Sequence, residues 1–310
     1  MSKLDYEGQS SPEKLWRLLQ KGFIQDNLSD VHWMPSLHGY ECKKRLNSGK
    51  LVPWFSLTKS VADLFLNYLK ANALIDLTQR RIPQEGVFRG DLSSYRISCC
   101  PVLHGERVAI RRLDVSSKLD LLGVDNLDKS LDFIINQIGL FLIIGPTGAG
   151  KTHSLAYLMK RLAYQGKHVV SMEQPVEIDI VEVSQIPLLS HQKFSEWTHV
   201  VLRQDPDVIV LGELRDVDDC HTVMQLVRTG HHCLATMHAL NILDVIERFS
   251  LLGYASKWLR YSVSGLLMVR FVEGVFYSEL VTQDQWQSLG FRRSATLAEQ
   301  RLQATVQDNI

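Results

Sequence analysis

Residues 141–166 read FLIIGPTGAGKTHSLAYLMKRLAYQG, and this stretch decides the fold of the chain. A short apolar run leads into a glycine-rich octapeptide, and apolar residues with helical spacing follow it. The octapeptide fits the pattern G-x-x-x-x-G-K-[ST], in which glycines let backbone N–H groups curl around an anion. The positive end of the following helix adds to that attraction. This order predicts a phosphate-binding loop, which consists of Gly145, Pro146, Thr147, Gly148, Ala149, Gly150, Lys151 and Thr152.

Two side chains of this loop have predicted chemical roles. Lys151 would neutralise the β- and γ-phosphates of a nucleotide, and the Thr152 hydroxyl would bind Mg²⁺. ATP and Mg²⁺ are therefore the predicted cofactors. A chance glycine-rich turn is the alternative, and the flanking strand and helix argue against it. We expect the helix to end near Gly166 and to bury one face. That face consists of Leu155, Leu158, Met159 and Leu162.

Other apolar runs alternate with helical patterns on both sides of the loop. Runs at 140–144, 168–172, 208–211 and 233–236 are short and bounded by polar residues. Strands that alternate with helices in this way are typical of an α/β domain with a mainly parallel sheet. The sequence therefore predicts a P-loop α/β domain in the second part of the chain.

The first part of the chain has a different pattern. Ser11 followed by Pro12 and Glu13 predicts a capped helix. Residues 58–71 predict a second helix, and residues 86–113 predict a hairpin that turns at 104–106. The apolar face predicted for the second helix consists of Val61, Leu64, Phe65, Tyr68 and Leu69.

The polar stretch after this hairpin is the predicted boundary between two domains. We predict a small α+β N-terminal domain at residues 1–115, a linker at 116–125 and the P-loop domain at 126–310. The total of 310 residues is long enough for two domains, and 45% hydrophobic and 22% charged residues are ordinary for a globular chain.

Charge and cysteine content exclude several classes of function. Lys and Arg number 34, as do Asp and Glu, so we expect no direct nucleic-acid partner. The five cysteines form no CxxC pair, which argues against a zinc ribbon or a disulfide framework. The first 16 residues lack the apolar core of a signal peptide, and no apolar run is long enough to span a bilayer. We therefore expect a soluble cytoplasmic protein without a transmembrane segment.

An acid follows the apolar run at 208–211. This run lies in LRQDPDVIVLGELRD at 202–216, where Gly212 takes the position that is Asp in many P-loop proteins and Glu213 is the first acid. An acid at such a strand end polarises the attacking water or holds Mg²⁺ through water. Glu173 and Glu177, in SMEQPVE at 171–177, are further candidates near the metal. A solvated glutamate is the alternative for Glu213.

Together these segments resemble the secretion ATPases of type II secretion and type IV pilus assembly, the GspE/PilB type. LRQDPDVIVLGELRD is similar to their Walker B segment, and SMEQPVE stands in the place of their Asp box, Glu-Asp-Pro-hydrophobic-Glu. TGHHCLATMHALN at 229–241 is similar to their His box. The segments NLSDVHWMP, RRIPQEGVF and YRISCCPVLHGERVAIRRL continue the match, which covers about residues 27–280.

The resemblance implies a PAS-like N-terminal domain and a RecA-like P-loop ATPase domain in a homo-hexamer, with ATP between the two domains of a subunit. It also implies that Arg96 and Arg111 reach the phosphates, since a guanidinium can neutralise charge that develops on the γ-phosphoryl group. Exposed strand arginines are the alternative, and the neighbouring Arg112 leaves the assignment open by one position. His231 and His238 match the His-box positions, as γ-phosphate sensors or as links to a neighbouring domain.

The resemblance further implies a function: ATP hydrolysis that powers assembly of a type IV pilus, a type II secretion pseudopilus, or a related competence or conjugation pilus. The partner would be a platform protein of the inner membrane, with which the motor associates peripherally. The Ala-Ile-Arg-Asn-Leu-Ile stretch of retraction ATPases is missing, which favours assembly over the alternative of retraction. The chain also lacks the N-terminal extension and tetracysteine module of many assembly members, so we expect a minimal member.

Gln174 is the main departure from the family pattern. An amide in place of the acid can bond a metal-bound water but adds no charge. Loss of such an acid costs about 10- to 100-fold in metal affinity or activity, so we expect a slower but active ATPase. A weakly active nucleotide-binding ring adaptor is the first alternative function. A DNA motor is the second, and the neutral charge argues against it.

Overall fold

In the computed structural model, the chain divides into two compact units. The N-terminal unit comprises Met1–Ser117, Gln174–Glu177 and Pro187–Gln192, and the P-loop unit comprises Lys118–Glu173, Ile178–Ile186 and Lys193–Ile310. The predicted linker at 116–125 lies outside the described residues except for its last one, and the predicted domain limits stay a prediction. The described residues are 11–26, 28–46, 48–90, 93–113, 125–189, 191–251, 259, 261–272 and 275–292.

The N-terminal unit contains a six-stranded antiparallel sheet in the order β3-β2-β1-β6-β5-β4, with two helices. The helices are α1 (Pro12–Gln25) and α2 (Lys59–Asn72). The strands are β1 (Asp30–Ser36), β2 (Gly39–Arg45), β3 (Leu51–Leu57), β4 (Gln84–Arg89), β5 (Ser94–Val102) and β6 (Gly105–Leu113).

Helix α1 begins where the capping residues predict it. The Ser11 side chain accepts a hydrogen bond from the Lys14 N–H at 3.4 Å, and Pro12 supplies a helical φ at the first position. Leu15, Leu19 and Phe23 recur along one face and are fully buried. The predicted capped helix is confirmed.

Helix α2 forms as predicted, but its buried face is different. Leu64 is 62% exposed, whereas Ala62 and Leu66 are buried beside Phe65 and Leu69. The apolar residues of α2 fit two overlapping stripes, each with spacings of three and four. Packing selects the stripe that contains the small Ala62, so the predicted face was wrong at Leu64.

The predicted hairpin forms as strands β5 and β6, but its turn begins before the predicted 104–106, and the start of the predicted range belongs to the separate strand β4. Their register runs from Ser94 opposite Leu113 to Val102 opposite Gly105. The two-residue turn therefore consists of Leu103 and His104, and Gly105 follows with φ +143°. A Cβ at Gly105 would lie 2.8 Å from the Tyr40 Oη, so only glycine fits there.

The P-loop unit contains a seven-stranded sheet in the order β13-β12-β7-β11-β10-β8-β9. Its strands are β7 (Gly139–Ile144), β8 (Val169–Glu173), β9 (Ser184–Pro187), β10 (Val208–Leu214), β11 (His232–Met237), β12 (Val263–Val272) and β13 (Val275–Thr282). Its helices are α3 (Asp125–Asn136), α4 (Lys151–Tyr164), α5 (Phe194–Leu202), α6 (Val217–Arg228), α7 (Ile242–Leu251) and α8 (Gln283–Arg292).

The middle of this sheet is parallel. Strands β12, β7, β11, β10 and β8 pair in parallel, and β13 is antiparallel to β12. The residues of β7 and β8 are buried along their whole length, which explains apolar runs without alternation. The four predicted strands are confirmed, and the carboxyl ends of β7, β11, β10 and β8 lie on one side of the sheet, which we call the carboxyl edge.

Helix α4 buries the face that the sequence predicts. Leu155, Leu158, Met159 and Leu162 are at most 2% exposed. Gly166, with φ +81°, donates its N–H to the Ala163 carbonyl at 2.9 Å and stops the helix. Within the described ranges, no helix is long and apolar enough to cross a membrane.

Candidate active site

The carboxyl edge of the P-loop unit brings four predicted site elements onto one side of the sheet. The phosphate-binding loop follows β7, His238 follows β11, Glu213 is the next-to-last residue of β10, and Glu173 is the last residue of β8. Met237 of β11 is in register with the ends of both β7 and β10. Adjacent strands are about 4.8 Å apart. His238 follows β11, the strand next to β7, and Glu213 lies near the end of β10, the strand after that.

Glycines shape the phosphate-binding loop for two physical reasons. Gly148 and Gly150 have φ values of +78° and +92°, which residues with a Cβ rarely adopt. At Gly145 the reason is space, because a Cβ would lie 2.3 Å from the Val269 carbonyl oxygen of β12. The loop therefore needs glycine at each of these positions.

The loop leaves the start of α4 suited to an anion. Gly150 is the N-cap of α4 and supplies no side-chain hydrogen bond to the first turn, which also carries no acidic residue. Helix N-termini without such partners attract phosphate through their N–H groups and dipole. The residues of this loop thus fit the phosphates of a nucleotide.

Lys151 lies inside the loop. Its side chain is 9% exposed, and Nζ donates to the carbonyls of Gly145 at 2.9 Å and Pro146 at 3.0 Å. Burial lowers the pKa of Lys151, and the negative charge of Glu213 acts in the opposite direction. The electrostatics therefore couple the lysine of the loop to the predicted catalytic acid.

The described residues fit a magnesium ion that takes most of its ligands from phosphate. Thr152 is half-buried in the first turn of α4. No group of three or more His, Cys, Asp or Glu side chains capable of holding a metal occurs among the residues that the structure describes. Mg²⁺ is ordinarily held by one or two protein oxygens together with waters and phosphates, and the Thr152 hydroxyl can supply one such oxygen.

Glu213 lies in β10, which is longer than the sequence predicts. The strand β10 continues to Leu214, three residues past the predicted end, with a register shift against β11 between Leu211 and Leu214. Glu213 is half-buried, and its Oε2 accepts a hydrogen bond from the Arg215 Nε at 2.8 Å. This contact orients the carboxylate at the carboxyl edge.

The missing aspartate at position 212 has a steric explanation. A Cβ at Gly212 would lie 3.2 Å from the Cγ of Glu173 on the neighbouring strand β8. A side chain at 212 therefore requires Glu173 to move. Gly212 therefore leaves the space that the buried Glu173 side chain needs.

Glu173 is 4% exposed and has protein hydrogen-bond partners. Its Oε1 accepts from the Ser171 hydroxyl at 2.7 Å and from the Gln185 amide at 2.9 Å. Gln185 also donates to the Ile178 carbonyl at 2.9 Å, so it fastens the turn after β8. The sequence predicted Glu173 but not Ser171 or Gln185. Ser171 could have been found, since residues two apart on a strand share a face. A metal role for Glu173 stays a prediction.

The two predicted histidines lie at opposite ends of β11. His231 precedes the strand and His238 follows it. Seven residues of extended chain span about 23 Å, and β11 is parallel to β7. Only His238 therefore lies at the carboxyl edge, and a γ-phosphate contact for His231 at this chain's own loop does not fit that separation. Its predicted role as a link to a neighbouring domain stays a prediction.

The structure resolves which arginine of the N-terminal unit shares a face with Arg96. Arg96 and Arg111 are directly opposite on β5 and β6, so their side chains point to the same face of the sheet. Arg112 points to the other face and donates to the Phe23 carbonyl of α1 at 3.0 Å. Of the two neighbouring arginines, Arg111 is the partner of Arg96.

These two arginines have acidic partners within the N-terminal unit. Arg96 forms an ion pair with Glu177. Arg111 donates from Nε to the Asp30 Oδ1 at 2.7 Å. Burial raises the pKa of Asp30, but hydrogen bonds from Arg111 and Ser29 and the charge of Arg111 together hold that pKa below its usual value. Catalytic roles for Arg96, Arg111 and Glu177 stay predictions.

Gln174 makes hydrogen bonds that the sequence did not predict, while its effect on hydrolysis stays a prediction. Its amide nitrogen donates to the Leu189 carbonyl at 3.1 Å and to the Gln192 carbonyl. The Gln192 side chain accepts in turn from the Leu189 N–H at 2.8 Å. The side chain of Gln174 thus fastens the loop at 187–192 through N–H donors that a carboxylate does not have.

Comparison with known proteins places the chain in a family. The family described as "Type II/IV secretion system protein" matches residues 6–301. The protein transport protein HofB homolog of Haemophilus influenzae is 30% identical over 85% of this chain and 60% of the relative. The type II secretion system protein HxcR of Pseudomonas aeruginosa is 31% identical over 86% and 59%. The type IV pilus assembly ATPase PilB of Thermus thermophilus is 28% identical over 88% and 32%.

The chain spans 60% or less of the length of these curated relatives. Its fold is also found in solved structures. The pilus retraction motor PilT with bound ADP has a TM-score of 0.67 at 21% identity, covering 91% of this chain and 88% of that one. The Legionella pneumophila ATPase DotB has a TM-score of 0.69 at 19% identity, covering 96% and 89%. The predicted α/β fold with a RecA-like P-loop domain is confirmed.

Proposed function

Since the chain belongs to the type II/IV secretion system protein family, as the resemblance predicted, we propose that it is a motor that hydrolyses ATP. The work would be assembly of a type IV pilus or a type II secretion pseudopilus. One observation carries this proposal: the phosphate-binding loop and Glu213 share the carboxyl edge, and the charge of Glu213 acts on Lys151. That arrangement supplies a phosphate cradle and a base for water in one place.

Each residue of the edge has a proposed part in hydrolysis. The N–H groups of the loop and of the α4 N-terminus hold the phosphates, and Lys151 neutralises their charge. Thr152 would help to hold Mg²⁺, which would supply positive charge to the phosphates. Glu213 accepts a proton from the attacking water, and Arg215 keeps its carboxylate oriented. His238 follows the strand between the loop and Glu213, a position suited to sensing the γ-phosphate.

Glu173, Glu177, Arg96 and Arg111 keep more distant proposed roles. The two arginines would supply positive charge to the phosphates, and the two glutamates would support the metal. Glu177 already forms an ion pair with Arg96, and Arg111 one with Asp30. For either arginine to reach the phosphates, it would therefore have to leave its acidic partner and bind the nucleotide instead.

The proposed assembly is a homo-hexamer that works with an inner-membrane platform protein from the cytoplasmic side. The relatives are named as proteins of protein transport, type II secretion and type IV pilus assembly, which supports assembly or export as the work done. Likeness to the retraction motor at 21% identity concerns the fold and does not favour retraction.

The test is Mg²⁺-dependent ATPase rate against protein concentration, with nucleotide binding measured separately. We expect Lys151→Ala to lose ATP binding, and Glu213→Gln to bind ATP but to turn over at least about 100-fold more slowly. Lys160→Ala, an exposed lysine of the same helix, and Glu182→Gln, an exposed acid of the same unit, are matched controls that should keep wild-type rates.

Two results would overturn the proposal. Normal turnover in Glu213→Gln would remove that residue as the base. Tight ATP binding by the wild type with no turnover at any protein concentration would favour the ring adaptor instead. A rate per subunit that rises with concentration supports assembly into a ring.

A further inference from the structure

Arg248 connects two turns at the carboxyl edge that are far apart in sequence. It lies on α7, the helix after β11. One terminal nitrogen of its guanidinium donates to the His238 carbonyl at 3.1 Å, and the other donates to the Arg215 carbonyl at 2.8 Å. His238 directly follows β11, and Arg215 directly follows β10. One side chain thus fastens the ends of two adjacent parallel strands.

The turn after β10 carries Glu213 with it. The Arg215 side chain donates to the Glu213 carboxylate at 2.8 Å, and the Arg215 N–H donates to Asp219 at 2.9 Å. Asp219 is in the first turn of α6, which Asp216 caps by accepting from the Asp219 N–H at 3.0 Å. The path from Arg248 to the Glu213 carboxylate therefore consists of one backbone carbonyl and one arginine side chain.

Helix α7 has anchors that do not involve Arg248. The Asn241 side chain accepts from the N–H groups of Leu243 at 2.9 Å and Asp244 at 3.1 Å. The Asp244 carboxylate accepts from the Leu240 N–H at 2.8 Å. These bonds cap the start of α7. The start of α7 is therefore held in place without the two hydrogen bonds that Arg248 donates.

We propose that Arg248 is a positioning residue, which holds Glu213 and His238 in register across the carboxyl edge. The expected effect on kcat rests on the proposed ATPase function. The expected coupling of the two turns rests on the hydrogen bonds alone. A planar fork of donors can serve two carbonyls at once, whereas the single ammonium group of lysine cannot hold the same geometry. Misplacing a catalytic group by about 1 Å costs up to about 100-fold in rate.

The variants are Arg248→Lys and Arg248→Gln, with Arg161→Lys as the matched control. Arg161 lies on α4, and its guanidinium Nε is 3.7 Å from the Asp128 carboxylate, so the control loses a surface arginine of the same unit. We expect Arg248→Lys to lower kcat by about 10- to 100-fold with the KM for ATP within about twofold. Arg161→Lys should leave both parameters unchanged.

Hydrogen–deuterium exchange gives a readout that needs no turnover. In Arg248→Lys, amides in both 213–219 and 238–241 should exchange faster, while those of β7 stay as in the wild type. Faster exchange confined to α7, or equal losses of kcat and ATP affinity, would overturn the positioning role. If the wild type hydrolyses no ATP, the proposed function fails, but the exchange result still decides whether Arg248 couples the two turns.

Discussion

Replacing Gln174 by aspartate separates two explanations for this position. If Gln174 is a weakened version of the family's acid, Gln174→Asp should restore a missing carboxylate and raise turnover by about 10- to 100-fold. If Gln174 fastens the loop at 187–192, the same change removes the N–H donors that bind two carbonyls. The first explanation therefore predicts faster ATP turnover in Gln174→Asp. The second predicts a less stable protein with no gain in turnover.

The magnitude follows from the bonds that are lost. A hydrogen bond contributes about 0.5–1.5 kcal/mol net, so removing two costs about 2 kcal/mol. The new carboxylate would also face the oxygen atoms of Leu189 and Gln192, which repel it. In a domain of this size about 1 kcal/mol lowers Tm by about 2–4 °C, which gives an expected fall of about 4–8 °C.

The assay is thermal unfolding of the wild type, Gln174→Asp, Gln174→Met and Gln204→Asp, together with the ATPase rate of each. Gln174→Met keeps the length of the side chain without donors or charge, so it isolates the lost hydrogen bonds. Gln204 is exposed in the turn after α5, and Gln204→Asp controls for an added surface charge. Exchange of the Leu189 amide, which is bonded to Gln192, should speed up in both Gln174 variants.

We expect Gln174→Asp to be less stable and no faster than the wild type. An unchanged Tm together with a tenfold faster rate would refute the loop-fastening explanation and return Gln174 to the catalytic group. A stable Gln174→Met with a destabilised Gln174→Asp would assign the effect to the charge rather than to the lost donors.

Two further predictions concern acid stability and thiol reactivity. The folded pKa of Asp30 is lowered from 3.8, so its pair with Arg111 contributes stability above that pH, which is lost as pH falls through the folded value. The Tm advantage of the wild type over Asp30→Asn should therefore shrink below pH 3.8, whereas a pH-independent difference would contradict this. Iodoacetamide should label the exposed Cys100 first in the native protein, as followed by fragment-ion mass spectrometry. Burial raises the pKa of Cys99 and Cys220 to about 12, and also raises it at Cys42 and Cys233. Equal labelling of Cys99 and Cys100 would contradict the burial of Cys99.

Several elements could be predicted because their causes are local in sequence. The α1 cap, the β5–β6 hairpin and the loop between β7 and α4 each depend on residues that lie close together in sequence, and even the ends of the hairpin pair Ser94 with Leu113. Strands β1 to β3 were not predicted. Strand β2, GYECKKR, has four charged residues among its seven, and it gains its place only through pairing with β1 and β3.

The sequence by itself determined the phosphate-binding loop, the fold class and the family, because these follow from short motifs in a fixed order. Only the tertiary structure decided that Arg111 rather than Arg112 faces Arg96, that His231 lies away from the carboxyl edge, and that Gln174 binds loop carbonyls. Arg248 likewise gained its proposed role from two carbonyls, 10 and 33 positions away. The physical reason is the same in each case: strand pairing and side-chain direction bring together groups whose separation along the chain gives no sign of their contact.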